Sequence, residues 1–191
     1  MKIKWEKRYP RTQWPKKWHG LSMTEMKVYQ PYVNRIKPGI CGSYATAALI
    51  HYFIQKQYNH SLNIADLIKI LEPMIEYRYP YKGTLPWDLK AGINQLLPKE
   101  IPYQARYHLI SNPIVLEQLS NENPLPVIVG TARILGNHYG NHWVLVYAYG
   151  YNNEGKLFYR AYDNHGRIGA VIPASQTFAA VWLEAVQHEQ K

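Results

Sequence analysis

The sequence predicts an α+β fold, helical in its first half and built of antiparallel strands in its second. Three observations predict it. Between about residues 41 and 97, apolar residues fill helix-length runs or recur at helical spacing. From Pro126 onward the apolar segments shorten to five to nine residues rich in Val and Tyr, the pattern of strands. Between two of those segments, Asn153, Glu154 and Gly155 give a hairpin signal, which sets neighbouring strands antiparallel.

Each element has its own justification. From Cys41 to about Gln57 there is no Gly or Pro after Gly42, and nearly every position is apolar, so this helix is expected to be buried on most faces. Asn63 can cap a second helix, NIADLIKILEPMIEY, in which Ile64, Leu67, Ile68 and Leu71 share a face and Pro73 ends or kinks the helix. A third, PWDLKAGINQLL, has Pro86 in its first turn, Asp88 favourable to the helix dipole, and Leu89, Ile93 and Leu96 on one side. NPIVLEQLSNEN predicts a short fourth. Strands follow at PVIVG from Pro126, HWVLVYAYG from His142, KLFYRAYD from Lys156 and AAVWLEAV near the C-terminus. The helices are expected to pack on this sheet as a single domain over residues 1–191, with 1–21 as a basic, aromatic arm.

Composition narrows the function classes. At 47% apolar and 18% charged residues, with no apolar run long enough to cross a bilayer, the chain reads as soluble and globular. One cysteine makes no internal disulfide, so packing alone must hold the fold. The formal charge of +9 is concentrated: residues 1–18 carry seven Lys or Arg against Glu6, whereas the rest holds 15 basic and 12 acidic side chains. The body is therefore no broad phosphate-binding surface, and no specific nucleic-acid partner is expected. The arm interleaves Trp5, Tyr9, Trp14 and Trp18 with its charges. That pattern suits aromatic packing onto the body, with at most a weak contact to an anionic surface. With no export signal in the chain as given, the default expectation is the cytoplasm; a removed signal would place the protein outside the cell or on its surface.

The chemistry centres on Cys41. A thiol at a helix N-terminus sits at the positive end of the macrodipole, which favours thiolate, and predicts reaction well below the ~8.5 of a free thiol. The competing reading is a small buried hydrophobe. Among eight histidines His142 stands out, because it opens the strongest strand directly after the glycine-bearing loop GNHYGN. The next strand ends at Asp163 and Asn164, which antiparallel pairing brings near His142. Either can orient the imidazole as the third group of a triad. Alternation puts Arg160 on the face of Asn164; if Arg160 points to solvent, Asn164 turns outward and Asp163 inward. A metal site from His138, His142 and His165 is disfavoured, since Gly140 opposes the helix that HYGNH would need. No cofactor or metal is expected.

These motifs in this order resemble the papain-like cysteine peptidases, in their bacterial bacteriocin-leader (double-glycine) peptidase-like branch. The matching pieces are CGSYATAALIHYF from Cys41, GTLPWDL from Gly83 to Leu89, HWVLVYAYGY from His142, and a strand ending in Asp. They cover Val28 to Trp182. The resemblance implies a thiol hydrolase acting on peptide or amide bonds of a peptide or protein substrate, with Cys41, His142 and Asp163 as triad and Asn164 as the alternative third member. It also implies an oxyanion-holding Gln six residues before the nucleophile. Arg35 stands there, which leaves Asn34 and Gln30 as candidates beside the backbone N–H of Cys41. A transglutaminase-like acyl transferase and an inactive papain-like peptide-binding module are the alternatives. The oligomeric state has no sequence signature.

Overall fold

The computed structural model describes residues 9–34, 39–76, 80 and 83–186. Lys2, Lys4, Trp5, Glu6, Lys7 and Arg8 of the arm lie outside the described residues, as do Arg35 and Tyr77.

A two-residue strand β1 (His19–Gly20) and one helical turn α1 (Met23–Met26) lead into the helices the sequence predicts: α2 (Cys41–Tyr58), α3 (Ile64–Ile75), α4 (Pro86–Leu96) and α5 (Ser111–Ser120). Asn63 caps α3 by accepting from the Asp66 N–H at 3.1 Å. Pro73 does not end α3, which runs on to Ile75. So near the helix end the proline forfeits little, and the full burial of Leu71 and Ile75, at roughly 1.5–3 kcal/mol each, holds the last turn.

The sheet contains β2 (Tyr103–His108), β3 (Val127–Thr131), β4 (His142–Tyr151), β5 (Leu157–Tyr162), β6 (Ala170–Pro173) and β7 (Thr177–Ala185), ordered β2-β7-β3-β4-β5-β6, with β1 added to β4. All these pairs are antiparallel. The expected succession of helices and then strands is corrected at β2, which comes before α5. It escapes sequence patterning because Ala105 is its only buried residue. β6 escapes because it is four residues long.

Both sheet faces are covered. Leu49 and Phe53 of α2, Leu71 of α3 and Leu89 of α4 join Leu145, Tyr147 and Val181 in one core. Val115 and Leu119 of α5 cover Val127, Val129, Val144 and Val146 on the other side. Double coverage is why β3 and β4 read as continuous apolar runs. The described part of the arm packs down as expected: Tyr9 sits edge-on to Phe158 at 5.3 Å, and Gly20 pairs with Ala148. Gly150 admits it, since a Cβ there would come 2.8 Å from Pro15. Arg160 does not point freely to solvent; its guanidinium lies 4.2 Å from the Trp18 ring centroid. Among the described residues no helix is long and apolar enough to cross a membrane.

Candidate active site

Cys41 is the first residue of α2 and is 6% exposed. The Trp143 N–H of β4 donates to its Sγ at 3.4 Å, so the thiol lies against the start of the strand that His142 opens. The Trp143 indole N–H reaches the Thr84 carbonyl at 3.1 Å and ties in the segment before α4. Gly42 makes this closeness feasible: a Cβ there would lie 2.7 Å from Thr84 Oγ1 and 2.8 Å from Leu89.

His142 Nε2 lies 2.8 Å from the main-chain oxygen of Asp163. A carbonyl only accepts, so Nε2 carries the proton and Nδ1 keeps a lone pair for use as a base. The Asp163 carboxylate points elsewhere. Its Oδ2 accepts from the Tyr139 hydroxyl at 2.7 Å, and its Oδ1 accepts from the N–H groups of His165 (2.9 Å) and Arg167 (2.8 Å). It braces the turn whose carbonyl meets His142.

Asn164 is fully buried, against the expectation that it turns outward. Strand alternation stops at Tyr162, and the chain turns through a left-handed Asn164 (φ 42°), so both neighbouring side chains face inward. The Asn164 amide N–H donates to the Trp143 carbonyl at 2.9 Å, while its Oδ1 is buried without a partner among the described residues.

The two oxyanion candidates separate. Asn34 is buried, and its N–H donates to the Asn164 carbonyl at 2.9 Å, which holds it beside this turn. Gln30 is exposed and lines a groove that neither Cys41 nor His142 lines. The His138, His142 and His165 rings cluster with Tyr139, His142 and His165 being 4.3 Å apart. Among the described residues no group of three His, Cys, Asp or Glu is arranged to hold a metal ion.

Neither a family model nor a curated protein sequence matches the chain. Among solved structures it is similar to the bromelain protease from Ananas comosus in complex with the E64 inhibitor, with a TM-score of 0.49 and 12% identity over 83% of this chain and 97% of that one. It is also similar to a recombinant stem bromelain precursor, with a TM-score of 0.50 and 11% identity over 88% of this chain and 74% of that one. The fold is papain-like.

Burial governs the electrostatics at this end of the papain-like fold. It pushes the Cys41 thiol up to about 11, against the lowering pull of the Trp143, Gly42 and Cys41 N–H groups and with the Glu76 charge adding to the rise. This corrects the expectation of a thiol acidified below the free value: the helix terminus contributes in the expected direction, but desolvation exceeds it. Burial likewise lowers His142 to about 4, although the Asp163 carbonyl and carboxylate pull it upward. Both shifts favour the uncharged form, a neutral thiol at Cys41 and a neutral imidazole at His142.

Sequence reasoning missed Glu76 and Tyr139. Glu76 follows α3, is 3% exposed, and accepts at Oε1 from the Ser43 N–H (3.0 Å) and hydroxyl (2.9 Å), so it caps α2 from another helix. A signal existed: no capping side chain precedes Cys41, and an acidic residue at the end of α3 opposes that helix's own dipole. Burial raises Glu76 to about 7, with Glu72 and Asp88 adding and Ser43 opposing. A carboxyl raised on folding gives stability below its unfolded value of 4.5 that is lost as pH climbs through 7. The loss is on the order of 3 kcal/mol. Melting curves of E76Q and the wild type should therefore diverge in favour of E76Q between pH 4.5 and 7, by roughly 5–10 °C. A constant offset across that range would show that Glu76 does not titrate there.

Proposed function

We propose that the chain is a thiol hydrolase that cleaves a peptide or amide bond, with Cys41 as nucleophile, His142 as base and the Asp163–Asn164 turn as orienting group. The observation that carries this reading is the meeting of the first residue of α2 with the start of β4, where His142 is held as its Nε2–H tautomer. His142 Nδ1 takes the thiol proton as sulfur attacks the carbonyl carbon, because the neutral resting pair makes proton transfer part of the attack. His142 then protonates the departing amine, leaving a thioester on Cys41. It next takes a proton from water as the water oxygen attacks the thioester carbon, and returns that proton to sulfur as the C–S bond breaks, which releases the acid and restores the thiol. The Cys41 N–H and the Asn34 amide hold the oxyanion.

The sequence resemblances at Gly83–Leu89 and HWVLVYAYGY favour the leader-peptidase-like branch and hence a peptide or protein substrate. An amine as final acceptor would make the reaction an acyl transfer. Release of free acid, as opposed to an amine adduct, separates the two.

Labelling by a thiol-directed activity probe, read by mass spectrometry, tests the reading. Cys41 should be modified in the wild type and at least tenfold more slowly in the His142→Ala variant. An unlabelled Cys41 would make the chain a papain-like binding module instead. Within the reaction, Asn34→Ala should lower kcat by on the order of 100-fold with little change in KM. Gln30→Ala should leave kcat nearly unchanged; the reverse ranking would move the oxyanion role to Gln30.

A further inference from the structure

A groove of about 830 Å³ opens beside the candidate site. Tyr139 and His165 line it, and both rings also pack on His142, at 5.4 Å and 4.3 Å between centroids. It therefore lies on the histidine side of the thiol. In the reaction proposed above His142 protonates the departing amine, so this is the side on which the leaving portion of a substrate extends.

The charges along the groove have one sign. Arg11 and Arg167 line it, against Asp163 as the one carboxylate. Asp163 is 1% exposed, and three donors occupy its oxygens. Arg11 and Arg167 are exposed and make no ion pair among the described residues. Among the described residues no acid pairs with either cation, although beyond the arm basic and acidic residues nearly balance. The wall of the groove includes Ala170 and Val171 of β6. β6 ends the sheet, with no strand beyond it among the described residues. An outermost strand presents backbone groups that an extended chain can pair with.

We propose that this groove receives the leaving side of the substrate as an extended acidic polypeptide segment, its carboxylates on Arg11 and Arg167 and its backbone along β6. The assignment to the leaving side rests on the hydrolase reading. Binding of the segment does not. A polypeptide fits better than another polyanion because the cations flank a strand edge.

The test uses the full chain carrying Cys41→Ala, so that binding is measured without turnover. Fluorescence anisotropy compares a labelled Glu-Gly repeat peptide, the matching Lys-Gly peptide, a Glu-Gly peptide N-methylated at alternate residues, and a single-stranded oligonucleotide of equal charge. The Glu-Gly peptide should bind at least about tenfold more tightly than each of the others. Adding R11E and R167E should invert the preference between the Glu and Lys peptides while the melting temperature stays constant. Equal binding of those two peptides, acidic binding that survives the double reversal, or preference for the oligonucleotide would overturn the proposal. Digestion of a peptide library by the wild type then reads the side, with Asp and Glu enriched on the leaving portion. Enrichment on the acyl portion would overturn the placement. Absence of both cleavage and Cys41 labelling would sink the hydrolase reading, while the anisotropy result would still decide the groove.

Discussion

Cys41→Ala is expected to remove thiol-dependent turnover, a loss on the order of 10⁵- to 10⁶-fold against a competent substrate. Stability should change by no more than about 1.5 kcal/mol, because Ala keeps the Cβ and the helix start and forfeits only the sulfur. The Trp143 N–H approaches the sulfur only at the long distance of 3.4 Å. Product detection by mass spectrometry and a thermal melt on the same preparation check both halves. Retained turnover would place the nucleophile elsewhere.

Asp163→Ala should be nearly as damaging by another route. Its carboxylate serves the Tyr139 hydroxyl and two main-chain N–H groups, and stripping it away leaves those donors without their acceptor. With Tyr139 half-buried and the other two near solvent, a cost of roughly 2–4 kcal/mol follows. The turn should then release its carbonyl from His142 Nε2 and lower turnover at least 100-fold. Asp163→Asn divides the two ways this residue can act. Its amide can still brace the turn, but the charge that raises the pKa of His142 is gone. If bracing dominates, the Asn variant keeps most of its stability and turnover, and its acid limb moves to still lower pH. If the charge is required, the Asn variant fails like the Ala variant while remaining folded. Asn164→Ala should lose about tenfold in turnover, since it releases the Trp143 carbonyl and strains a left-handed position. A larger loss there than at Asp163 would transfer the orienting role to Asn164.

The parts of this molecule legible from sequence are those that patterning controls. α2 to α5, β3, β4, β5 and β7 announce themselves by apolar period or apolar run, and the approach of Cys41 to Trp143 joins the starts of two of them. Alternation was extended one step too far at Asn164, because a left-handed residue ends the strand rule without any glycine to mark it. β2 carries one buried residue and so no pattern. The thiol's electrostatics are hidden from the sequence for a related reason. A helix terminus is visible in a sequence, whereas burial of the thiol, and the charge Glu76 adds to it, depend on segments distant in the chain.

The strand order also sets a timetable for the growing chain. β7, the last of the described strands in chain order, is inserted between β2 and β3 and hydrogen-bonds to both. Until Thr177–Ala185 has left the ribosome, β3 shows a bare edge and β2 has no strand partner. The half of the protein that carries Cys41 is synthesised well before the sheet behind it can close, so an incomplete chain exposes apolar edges around an unfinished pocket. A chain stopped before Thr177 is expected to aggregate, and maturation of the thiol pocket should appear as a single step that follows synthesis of β7.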